Sequence, residues 1–188
     1  IIKNHKNLGC GMGHNPGYEL AIKCQFKYVA RIDNDMVLPN SFFSNIIPKL
    51  EKKKFIQAIS PKIMYKFEKN KIWWKGTNIG HNLKIQRHMR NYPYGLIDNK
   101  NIKGLVETDA IAGCASIMRT DRLKEVGLSD IDFFYGPEDV ELSRRIYKDK
   151  KSLSVDLDTK IYHAVTQSFR NLNQRRVYFE YKYRLVLI

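Results

Sequence analysis

Apolar positions along the chain fall into short runs divided by polar and glycine-rich stretches, and the spacing within each run predicts its element. Ile1-Ile2 is the end of a strand that leads into a glycine-rich turn, Gly9 to Gly17. Leu20, Ala21 and Cys24 then recur at helical spacing, so a helix is expected from Pro16-Gly17-Tyr18 to about Gln25. Phe26 to Ile32 predicts a strand ending in Asp33-Asn34-Asp35. Pro39-Asn40-Ser41 caps a second helix to about Leu50, which Pro48 should shorten, and Phe55 to Ile63 predicts another strand. From Met64 to Lys103 the pattern loosens, with Trp73-Trp74 on a hairpin or excursion. Ala110 to Met118 predicts an apolar strand, followed by a helix with Thr120 as N-cap and Gly127 as stop. Gly136-Pro137 precedes a helix from Glu138 to about Lys148 whose Leu142 and Ile146 share a face. Strands Leu153 to Leu157 and Lys160 to His163, and an amphipathic helix from about Gln174, complete the order. This alternation implies an α/β layer fold with a mainly parallel sheet flanked by helices.

Composition narrows the class. The 188 residues are 43% hydrophobic and 28% charged, which excludes disordered and low-complexity chains and suits one folded domain. The 33 Lys+Arg against 19 Asp+Glu leave a net charge of +14, a field that attracts phosphates, nucleic acid or anionic lipid. The basic residues are scattered and no nucleic-acid-binding signature accompanies them, so a nucleic-acid module is not favoured. Cys10, Cys24 and Cys114 are odd in number and widely spaced, which argues against a disulfide framework or structural zinc and fits a reducing compartment. No apolar run approaches the roughly 20 residues that span a bilayer, and no signal-peptide core opens the chain. Ile1 in place of Met, and the apolar ending Leu185 to Ile188, give the expectation that both ends are cut.

Six groups of residues have the chemistry for a site. Asp33 and Asp35, two apart at a strand end, are expected to project to the same side, because side chains alternate along an extended chain, and so to suit Mg²⁺ or Mn²⁺; an Asx-turn is the plainer reading. Gly9 to Gly17 offers backbone N–H groups to an anion or forms a mobile loop, and its glycine spacing matches neither a dinucleotide fingerprint nor a P-loop. Glu138-Asp139 opens a helix, where a carboxylate either complements the dipole or accepts a proton from a hydroxyl group. His163 ends a strand as a possible metal ligand or an ordinary histidine. Trp73-Trp74 forms either a sugar-stacking platform or packing at a sheet edge, and Arg175 to Arg184 interleaves basic and aromatic residues as interfacial helices do or simply docks on the domain.

Taken in order, these pieces resemble the family 2 glycosyltransferases of the GT-A fold, particularly the bacterial rhamnosyltransferase-like branch. The resemblance is carried by Asn7-x-Gly9 with His14-Asn15-x-Gly17, by Tyr28 to Asp35, by Ala112 to Arg119, by Val126-Gly127-Leu128 through Phe133 to Arg145, and by His163 with Ser168. It implies a GT-A domain over 1–170, with a donor and metal half at 1–63, an acceptor half at 64–170, and an amphipathic helix at 171–188. The implied reaction is metal-dependent, inverting transfer of a sugar from a nucleotide-sugar donor to a saccharide or lipid-linked saccharide, in cell-surface polysaccharide assembly at the cytoplasmic membrane face. Mn²⁺ or Mg²⁺ would be held by Asp33, Asp35 and His163, and Asp139 would be the base, with Glu138 orienting the helix start or acceptor. Asn7, Gly9, Asn15, Asp33 and Asn34 would meet the nucleotide sugar, and Trp74, Gly113 and Cys114 the acceptor. The family's first strand-helix unit has no counterpart before Ile1, which implies a truncated chain. Two other readings stand beside this one. A catalytically silent domain would turn over no donor, and a sugar-1-phosphate nucleotidyltransferase would want a basic glycine-rich loop at the chain start.

Overall fold

The structure is a computed structural model that describes residues 1–79, 95–99, 101–149 and 151–165. Ser168 and the amphipathic helix expected at 171–188 lie outside the described residues. Among those described, helices α1 (Gly9–Lys23), α2 (Phe42–Lys52), α3 (Thr120–Val126) and α4 (Glu138–Ile146) flank one sheet. Its strands are β1 (Tyr28–Ile32), β2 (Met36–Val37), β3 (Ala58–Tyr65), β4 (Lys71–Trp74), β5 (Leu96–Ile97), β6 (Leu105–Glu107), β7 (Ala115–Arg119) and β8 (Leu153–His163). The order runs β1-β7-β3-β4-β5, with β8 along the other side of β3 and bonded also to β2 and β6.

The layered α/β architecture agrees with the sequence reading, while the sheet itself is mixed. β3 and β8 are parallel, and the other described pairs are antiparallel. The reason is local: a parallel neighbour needs a crossover returning to the same end, and β7 enters from the loop after β6 and runs back between β1 and β3. β8 is one strand where two were expected. It bends at a register shift opposite Pro61 and Lys62, where Asp156 Oδ1 accepts the N–H groups of Asp158 and Thr159 and keeps the irregular turn bonded.

Tertiary contacts override local propensity in several elements. α1 takes in the whole glycine-rich segment, Gly9 to Gly17, expected as a turn, and its first glycines let the backbone approach the loop before α4. A Cβ on Gly9 would lie 2.0 Å from the Phe134 carbonyl oxygen, and one on Gly11 2.8 Å from that of Phe133. Pro48 does not shorten α2: the face carrying Phe42, Ile46 and Leu50 is buried, and that burial outweighs one missing helix hydrogen bond. Thr120 is the first residue of α3 and not its cap, since its hydroxyl donates to the Phe26 carbonyl. Residues 110–114 leave the strand pattern because hydroxyl groups take their donors: Ile111 N–H goes to Ser143 Oγ at 3.1 Å and Ala112 N–H to Ser60 Oγ at 3.0 Å.

Two apolar clusters result. One joins α2 to the sheet through Ile46, Leu50, Ile59, Ile63, Ile117 and Ile161; the other joins α1, α3 and α4 to β7 through Tyr18, Leu123, Leu142, Ile146 and Met118. The site lies where β1 and β8 end.

Candidate active site

Asp33 and Asp35 belong to a turn, closed by the Met36 N–H donating to the Asp33 carbonyl at 3.2 Å, so strand alternation does not govern their side chains. They take different partners. Asp35 Oδ2 accepts from His163 Nε2 at 3.1 Å, and the Ala164 N–H donates to the Asp35 carbonyl at 3.1 Å, so β2 and the end of β8 clamp the residue on both sides. Asp33 Oδ1 stands 4.0 Å from His14 Nε2 on α1, and its own N–H donates to the Cys114 carbonyl at 2.9 Å. Burial pushes the Asp33 carboxyl up, against the opposing pull of Arg31 and His14. Burial also lowers His14, with the Arg31 charge adding, and His14 Nδ1 donates to the Cys10 carbonyl at 2.5 Å.

The Asp35–His163 pair carries two unused polar atoms. Asp35 Oδ1 and His163 Nδ1 are buried without a hydrogen-bond partner. A buried carboxylate oxygen with nothing to accept from is costly, and a divalent cation would relieve it. Carboxylate oxygen and imidazole nitrogen suit Mn²⁺ or Mg²⁺, so these residues fit the expected ion. The pair supplies only part of a coordination shell. Among the described residues no three His, Cys, Asp or Glu side chains converge on one point, and Asp33 is turned toward His14.

The opposite wall is the start of α4. Glu138 is buried and its Oε1 accepts from Arg31 Nη2 at 3.0 Å, in an ion pair whose side chains are 5% and 8% exposed. The next residue, Asp139, accepts the Val140 N–H on Oδ1 at 2.8 Å and the Gly113 N–H on Oδ2 at 3.2 Å. Gly113 and Cys114 therefore tie the two walls together, one peptide unit holding Asp139 and the next holding the Asp33 backbone.

The remaining expected residues divide. Trp74 is a correction: it is buried in the sheet core with Nε1 donating to Thr77 Oγ1 at 3.1 Å, because the buried face of β4 falls on Ile72 and Trp74. Its half-buried neighbour Trp73 reaches the site, with its ring edge-on to His163 at 4.5 Å. Cys114 is also a correction, since its side chain is buried in the core and faces no acceptor. Burial raises its thiol strongly and pushes that of Cys10 up to about 11, so neither ionises readily near neutrality. Gly113 makes room for Asp139: a Cβ there would lie 3.0 Å from Asp139 Cβ and Oδ2. Gly9 is covered by Phe134, while Asn7 Oδ1 accepts the Gly9 N–H at 2.9 Å as a local turn. Asn15 gives both ends of its amide to the Ser129 backbone, at 2.9 and 3.0 Å. Asn34 is exposed in the turn. Sequence reasoning named the Trp73-Trp74 pair but put Trp74 at the acceptor, and it missed Arg31 and His14. A charged residue inside an apolar strand was the available signal for Arg31.

A cleft of about 400 Å³ opens between α1 and β1, lined by His14, Gly17, Tyr18 and Arg31 among others, and reaches Asp33 through His14. No helix among the described residues is long and apolar enough to cross a membrane.

Comparison with models of known protein families gives no match, and comparison with curated protein sequences gives none either. Solved structures do match. The chain is similar to GalNAc-T7, crystallised with UDP, GalNAc and Mn²⁺, at a TM-score of 0.61 and 15% identity over 87% of this chain and 32% of that one. It is also similar to A197 from STIV, at a TM-score of 0.52 and 10% identity over 88% of this chain and 71% of that one. The chain thus spans about a third of the length of GalNAc-T7. At these identities the likeness is one of fold: an open α/β sheet similar to that of GT-A glycosyltransferases.

Proposed function

We propose that the chain carries the catalytic face of a metal-dependent glycosyltransferase that moves a sugar from a nucleotide-sugar donor to a saccharide acceptor. The observation that supports this most is the Asp35–His163 pair with its two unused buried polar atoms, at the end of strands in a fold shared with a protein crystallised with UDP and Mn²⁺. Asp35 and His163 would hold Mn²⁺ or Mg²⁺, with donor phosphates and water completing the shell. The ion, when bound, supplies Lewis-acid stabilisation of charge on the leaving diphosphate.

Every other role falls to this chain. The cleft beside Asp33 is the place for the nucleoside, with Asp33 and His14 at its rim and Asn34 exposed next to it. Asp139, fixed by the Gly113 and Val140 N–H groups, takes the acceptor proton as the hydroxyl attacks from the face opposite the leaving group, which gives inversion. Trp73, and not Trp74, offers the aromatic wall for a sugar. Membership of family 2 and its rhamnosyltransferase-like branch, a lipid-linked acceptor in polysaccharide assembly, and attachment to an anionic membrane face belong to the same proposal. The motif order and the +14 charge support them.

Calorimetric titration with Mn²⁺ and UDP, GDP and dTDP in turn tests the reading. Metal-dependent binding of at least one nucleotide is expected, weakened tenfold or more by Asp35→Asn and left within about threefold by Asp139→Asn. Absence of metal-dependent binding with all three would overturn it.

A further inference from the structure

Arg31 and Glu138 form the most deeply buried ion pair around the site, and they join its two walls. Arg31 lies on β1 two residues before Asp33, and Glu138 is the first residue of α4, immediately before Asp139. Three carboxylates act on this one buried guanidinium: Glu138 bonds to it, and Asp33 and Asp139 lie within its electrostatic range. The Arg31 Nε is buried without a partner, so the packing is set for the Glu138 contact and does not satisfy the whole guanidinium. An apolar pair of similar size would fill the same volume with no desolvation cost. The charged pair therefore does something that packing alone does not.

We propose that Arg31 is a positioning residue. Through Glu138 it fixes the first turn of α4 in depth and rotation, so that the Asp139 carboxylate meets the Gly113 N–H and stands at a set distance from the Asp33–Asp35 turn. Asp139 is thus held from two directions: by the Gly113 N–H, whose neighbour Cys114 accepts the Asp33 N–H, and through Glu138 by the side chain of Arg31 on β1. The catalytic meaning rests on the reading of Asp139 as base; the geometric claim does not.

Amide hydrogen exchange of the full chain, followed by NMR at pH 7, tests the geometry without substrate. The Gly113 and Val140 amides, both bonded to the Asp139 carboxylate, report its placement, and the Ile59 and Ile117 amides report the sheet. In a folded Arg31→Met/Glu138→Leu variant, exchange at Gly113 and Val140 should accelerate tenfold or more while Ile59 and Ile117 stay within about threefold. Arg31→Lys, which keeps the charge, should retain most of the protection. If the double variant does not fold, Arg31→Gln takes its place against Arg31→Lys with the same expectation. Equal protection at Gly113 in the charged and uncharged variants would overturn the proposal. Absence of nucleotide binding in the unaltered chain would count against the glycosyltransferase reading alone.

Discussion

A single carboxyl group shows how the site departs from ordinary surface chemistry. Burial raises Asp33 above the usual carboxylate range, so the folded, metal-free protein holds its proton more tightly than the unfolded chain does. A carboxyl with a raised folded value costs stability once pH climbs past its unfolded value, and costs none well below it. Asp33→Asn should therefore raise the melting temperature at pH 7, with the gain shrinking as pH falls below the ordinary aspartate range. A gain that is independent of pH would point to a cause other than ionisation. The two neighbouring tryptophans separate core from site. Trp74→Ala should cost about 3–5 kcal/mol in urea unfolding, because it empties a buried ring and leaves Thr77 without its donor. Trp73→Ala should cost less and move the ring-proton chemical shifts of His163 in NMR spectra, because the two rings pack at 4.5 Å.

Elements are held here by contacts that local pattern does not reveal. The segment before β7 is buried without a ladder, and Ser143 on α4 and Ser60 on β3 supply its acceptors. Ser143→Ala should thus destabilise by about 1–3 kcal/mol in denaturant titration, the cost of leaving the Ile111 N–H buried and unpaired. Gly9→Ala should cost more: it combines a backbone φ of +77° with a contact 2.0 Å from the Phe134 carbonyl, which the loop must move to relieve. These cases also mark what was legible in the sequence. β1 and β3 were revealed by short apolar runs, and α2 and α4 by apolar residues at helical spacing, Phe42, Ile46 and Leu50 in one and Leu142 and Ile146 in the other. The extent of α1 and the mixed sheet were hidden, since each depends on a distant partner: Phe134 for α1, and the return path of β7 between two strands for the sheet. At the site, Asp35, His163 and Asp139 were legible as residue types at element ends. Arg31 was not, because only the folded register turns it toward those groups, and of the Trp73-Trp74 pair only that register shows which ring faces the site.

On the scale of the molecule, a net charge of +14 on 188 residues surrounds a site lined mainly by carboxylates. The local acids suit a cation and the overall field suits an anion, so an ion and a diphosphate should bind better together than either does alone. The long-range part is screened by salt. Between about 0.01 and 0.15 M ionic strength the Debye length shrinks from about 30 to 8 Å, so UDP affinity measured with saturating Mn²⁺ should weaken several-fold over that range. The ladder that joins Asp35 to His163 has a consequence in time. Those residues are 128 positions apart, and the two-residue β2 strand meets β8 at its last turn of chain, opposite His163. Closing so large a loop brings a reward only after β3 and β8 have paired, so the Asp35–His163 contact should form late in folding. In stopped-flow refolding, recovery of Mn²⁺ binding should lag behind the far-ultraviolet signal of the sheet. During synthesis a chain that already carries Asp35 still lacks the imidazole that partners it until residue 163, 128 positions later, has been made.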